Sequence, residues 1–92
     1  MPIPHERPWA PYMDKADGVE FYDSADRLVG TASLDVRTRK ALSVGREVTF
    51  DGGPRVARIA VVRRSRLGVD RIDMDIEYRV GRHVAVRAKR AR

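Results

Sequence analysis

Through residues 72–80, Ile72, Met74, Ile76, Tyr78 and Val80 alternate with Asp73, Asp75, Glu77 and Arg79. A period of two marks a strand with one buried and one wet face. The next segment alternates too, with Val84, Val86 and Ala88 set against Arg87 and Lys89. The two patterns must agree on which side is the core, because register and face are locked together. A tight turn through Gly81 and Arg82 would put Val80 opposite His83 and mix core with surface. A loop of Gly81, Arg82 and His83 instead sets Val80 opposite Val84, Tyr78 opposite Val86 and Ile76 opposite Ala88. It also sets Glu77 opposite Arg87 and Asp75 opposite Lys89, and opposite charges across a pair stabilise a sheet. The pattern therefore predicts this register, with Ile76 and Tyr78 buried and the acidic row neutralised by its neighbour.

Upstream, "VEFYDSADRLVGT" reads as a hairpin of residues 19–23 and 27–31 around Ser24, Ala25 and Asp26. Phe21 is expected opposite Val29 and Tyr22 opposite Leu28, with Asp23 and Arg27 at the neck. "SLDVRTRKALSVG" carries the helical signal. Ser33 is the expected cap, Asp35 falls in the first turn, and Arg39 and Lys40 complement the dipole near the end. Leu34, Thr38, Ala41 and Leu42 share a face, and Gly45 supplies the stop. "REVTF" alternates, and "DGGP" reads as a hairpin turn. "RVARIAVVRR" is a long β-branched run whose adjacent Val61 and Val62 break the alternation, which predicts burial on both faces or a bulge. "RSRLG" reads as a loop.

These elements predict a mainly β fold. The expected form is a small antiparallel barrel or strongly curled sheet of about six strands, with one short helix between strands two and three. Four of the five prolines lie in "MPIPHERPWAPY". Proline fixes φ and lacks a donor, so residues 1–18 are expected to form an extended arm ahead of a single domain over residues 19–92. Trp9 and Tyr12 are the arm's anchors. They dock either on a partner or back on the chain's own core.

At 92 residues the chain is too short for two cores. It has no cysteine, which removes disulfides, thiolate metal sites and a thiol nucleophile. It opens with no basic-then-apolar leader and has no apolar run near 18 residues, so a soluble, cytoplasmic protein without a membrane span is expected. The net charge of +6 is unevenly spread. Residues 1–34 hold three Lys/Arg against six Asp/Glu, and residues 35–92 hold sixteen against seven, giving −3 and +9. That segregation points to an anionic partner, either nucleic acid or an acidic protein. Arginine outnumbers lysine sixteen to three. Its planar fork suits phosphate, although a GC-rich genome yields the same ratio.

The candidate anion-binding residues are Arg63, Arg64 and Arg66 in the expected loop, with Arg90 and Arg92 at the terminus. Solvated charge is the competing explanation. The histidines, His5 and His83, stand in no metal-binding or triad motif, and no phosphate-cradling glycine motif occurs. The chain is therefore expected to be a non-enzymatic basic module without a metal or cofactor, binding nucleic acid or another phosphate-bearing ligand. The alternative is a structural or adaptor protein that works through the arm and a sheet edge.

Overall fold

The structure is a computed structural model that describes residues 15–88. The expected anchors Trp9 and Tyr12, together with Lys89, Arg90 and Arg92, lie outside the described residues. Six antiparallel strands form one sheet: β1 (Gly18–Tyr22), β2 (Leu28–Ser33), β3 (Val48–Asp51), β4 (Arg58–Ser65), β5 (Gly68–Val80) and β6 (His83–Ala88). One helix, α1 (Val36–Ser43), connects β2 to β3. The order across the sheet is β2-β1-β4-β5-β6-β3, so it is a curled sheet with two edges, β2 and β3.

β4 explains this order. Ile59, Ala60, Val61 and Val62 are all buried, so the doubled valine reflects burial on both faces. Such a strand belongs in the middle of a sheet, where β1 and β5 flank it. β3 is short and alternates half-buried with exposed positions, which suits an edge, and it pairs with β6. The hairpin expected at "DGGP" is thus corrected. The segment carries the chain from the β3 edge to the sheet centre, and β3 and β4 are not partners.

The curl shows in the core. β1 and β3 are separated by three strands, yet the rings of Phe21 and Phe50 meet edge to face with centroids 6.2 Å apart. Val19, Phe21, Ile59, Val61, Met74, Val84 and Val86 line the concave face, and Leu34 and Leu42 pack with them. The β3–β4 connection passes so close that a Cβ on Gly52 would lie 2.9 Å from the Phe21 ring and 3.0 Å from Val56. Only glycine fits there.

The helix cap lies two residues later than expected. Ser33 ends β2 opposite Gly18, so its backbone is committed to the sheet. Asp35 caps instead, and its Oδ1 accepts the Thr38 amide at 2.7 Å. At the other end the Gly45 amide donates to Leu42 O (3.1 Å) and the Arg46 amide to Ala41 O (2.9 Å), a Schellman closure at the expected stop.

The β1–β2 and β5–β6 hairpins carry bulges that periodicity alone did not predict. In β1–β2, Tyr22 faces Leu28 as expected, and the Asp23 amide donates to Arg27 O at the neck (3.0 Å). Val29 is then the extra residue, and Phe21 faces Gly30 rather than Val29. Gly30 leaves room for the Phe21 ring, since a Cβ there would touch it at 3.4 Å. In β5–β6 the expected register is overturned. The turn is the tight one, with Gly81 at φ 60° in its first central position and Val80 opposite His83. A bulge at Glu77 then corrects the face, so that Ile76 pairs with Val86, Asp75 with Arg87 and Met74 with Ala88. The one-residue slip that the alternation demands is made inside the strand, not in the loop. Beyond the bulge the pattern inverts. Tyr78 stands opposite Ala85 and is 53% exposed, not buried, and its hydroxyl reaches across β6 to Glu47 Oε2 at 2.9 Å.

Candidate functional site

The acidic row of β5 is part of a charged convex face. Asp73 Oδ1 accepts from Arg58 Nη1 at 2.9 Å, and Arg58 Nη2 also reaches Asp26 Oδ1 at 2.9 Å. The Arg58 guanidinium lies 4.2 Å from the centroid of the Tyr22 ring, a cation–π contact. Glu77 Oε2 lies 3.8 Å from Arg87 Nε, so those side chains meet even though Asp75 is the backbone partner of Arg87. Among the described residues, no three Asp, Glu or His side chains are grouped to hold a metal ion.

At the centre of this face Glu20, 7% exposed, accepts from Arg71 Nε at 2.7 Å and from the Tyr22 hydroxyl. The Arg71 bond first, and the Tyr22 bond second, hold the Glu20 carboxyl below its ordinary pKa. The same carboxylate raises both the Tyr22 hydroxyl and Arg71. These pairs join the two halves of the chain. Glu20 and Asp26, from the acidic half, meet Arg71 and Arg58, from the basic half, because β1 lies beside β4. Much of the charge segregation along the sequence is cancelled in space.

The predicted arginine cluster is held differently from the expected loop. Arg63 and Arg64 belong to β4, and only Arg66 and Leu67 form the turn to β5. Arg63 Nη2 lies 2.6 Å from Asp70 Oδ2, directly across the pair. The Arg64 amide donates to Asp17 Oδ2 at 2.7 Å, while its guanidinium stays 60% exposed and 3.9 Å from that carboxylate. Strand pairing explains the difference. β1 stops at Val62 and β6 reaches β5 only from Met74, so among the described residues Arg63–Asp70 pairs only with itself. The result is a two-stranded ribbon with Arg64 and Arg66 exposed around a tip, where Leu67 is 98% exposed.

A second surface lies between α1 and the start of β3. It is an open groove of about 740 Å³ lined by Val36, Ala41, Val44 and Val48, with Arg37, Lys40, Arg46 and Glu47 among its charged residues. Val36 is 72% and Val44 55% exposed.

No protein-family model, curated protein or solved structure matches the chain.

The groove escaped the sequence reading. Its signal was present: Val36, Lys40 and Val44 are spaced by four, off the Leu34–Leu42 face that turns to the core. The other side of the groove is Arg46, Glu47 and Val48 at the start of β3, and only the strand order makes β3 an edge.

Proposed function

We propose that the chain is a small, non-enzymatic binding module that engages nucleic acid or another phosphate-bearing ligand through the β4–β5 ribbon. The ribbon itself carries this reading: two paired strands beyond the body of the sheet, with the Arg64 and Arg66 guanidiniums exposed around the turn. The major groove of a duplex, about 12 Å wide, admits a two-stranded β-ribbon. Arginine on phosphate supplies sequence-independent affinity. With no Asn or Gln in the chain, the usual adenine readers are missing, so backbone and shape dominate recognition. Arg63 braces the ribbon through Asp70, and Arg90 and Arg92 join the reading from sequence.

The test is fluorescence anisotropy of a labelled DNA duplex with the full chain across a salt series. Contacts from Arg64, Arg66, Arg90 and Arg92 to about four phosphates give a slope of log K against log salt near −3.6. Replacing Arg64 and Arg66 with alanine flattens that slope by about 1.8 and weakens all sequences alike. Absence of binding to DNA, RNA and heparin at about 50 mM salt overturns the proposal. The adaptor reading is the alternative, and the observation that favours it is the edge of β3, which meets no further strand among the described residues.

A further inference from the structure

We infer that the groove between α1 and β3 receives an extended acidic segment of a partner protein, which adds to β3 as a further strand. The inference is independent of the ribbon. β3 ends the sheet order, so on its outer side alternate backbone N–H and C=O groups meet no strand among the described residues. Val48–Asp51 contains no lysine or proline, two of the devices by which exposed edges are commonly blunted. A strand this short offers only about four outward backbone groups, so affinity must also come from side-chain contacts. The groove supplies them, because Val36, Val44 and Val48 form an apolar strip beside the edge.

Charge selects the occupant. Arg37, Lys40 and Arg46 border the strip, and none of them makes an ion pair with a described residue. The carboxylate on the same rim, Glu47, already accepts the Tyr78 hydroxyl. A second copy of this chain docking edge to edge would bring two sets of these cations together, which like-charge repulsion opposes. Nucleic acid has the charge but lacks the alternating backbone donors and acceptors that extend a sheet. An extended peptide alternating acidic and apolar residues satisfies the edge, the strip and the rim together.

The probe is a synthetic peptide alternating glutamate and valine, with a lysine–valine peptide as control, titrated into the isotope-labelled full chain. Amide shifts should concentrate in α1 and β3, with slowed hydrogen exchange at the outward amides of β3. The variant R37E/K40E should bind at least about tenfold more weakly, equivalent to roughly 1.4 kcal/mol, and Val44→Asp should weaken binding comparably. All three changed side chains are exposed, and a retained circular dichroism spectrum confirms the fold. Four outcomes overturn the inference: no binding of the acidic peptide, equal binding of the lysine peptide, shifts centred on β2, or DNA occupying α1 and β3. Concentration-dependent dimerisation that Val44→Asp abolishes would assign the groove to a second copy, and so also overturns it.

Discussion

Substituting Glu20 with glutamine keeps the shape of the side chain and removes its charge, so the substitution isolates what the carboxylate contributes to the convex face. Glu20 is almost entirely covered, while the Arg71 side chain is 45% exposed. A hydrogen bond to a charged group contributes roughly 1.5–3 kcal/mol. Losing one partner of a fully buried pair costs about 3–5 kcal/mol, but that figure assumes a stranded charge. Arg71 is hydrated on its open side and keeps much of its solvation when Glu20 loses its charge, so the lower end applies, about 1.5 kcal/mol. For a domain of this size that corresponds to a fall of about 6–12 °C in Tm. The pH dependence follows from the direction of the shift. The folded-state pKa of Glu20 is lowered, so the unfolded chain binds more protons in the acid range. The contribution is therefore complete above the ordinary carboxylate pKa and is lost as pH falls through the lower folded value. Urea unfolding followed by circular dichroism, at neutral pH and through the acid range, measures it. Wild type should exceed E20Q near pH 7, and the two should converge in acid. Equal stability at pH 7, or a gap that does not narrow in acid, would refute the reasoning.

Two further substitutions test the fold. Gly52→Ala puts a methyl group against the Phe21 ring and Val56, and should cost about 1–3 kcal/mol in chemical denaturation through overpacking. Asp35→Ala removes the observed helix cap and should cost about 1 kcal/mol, whereas Ser33→Ala, at a position exposed and paired in β2, should change stability by less than about 0.5 kcal/mol. The reverse ranking would restore Ser33 as the cap.

What the chain determined by itself was local. The Asp23–Arg27 neck and the Gly45 stop each depend on neighbours a few residues away and could be read from spacing, whereas the doubled valine allowed burial on both faces or a bulge until the sheet placed β4 between β1 and β5. The β5–β6 register failed at that level because alternation requires a one-residue slip but does not say where it occurs. The turn chemistry of Gly81 placed it at Glu77, and this moved Tyr78 from the core to the surface. Strand order lay further out of reach. A turn signal at "DGGP" says that the chain reverses, not which strand it meets, and burial of β4 on both faces draws β1 to its side and leaves β3 at the edge. Both candidate surfaces follow from that choice. It brings Glu20 of β1 and the nearby Asp26 to Arg71 and Arg58, which pairs charge that looked segregated in one dimension, and it opens the edge of β3 beside α1. Such pairings join residues far apart in sequence, and their energies exist only once the sheet has formed.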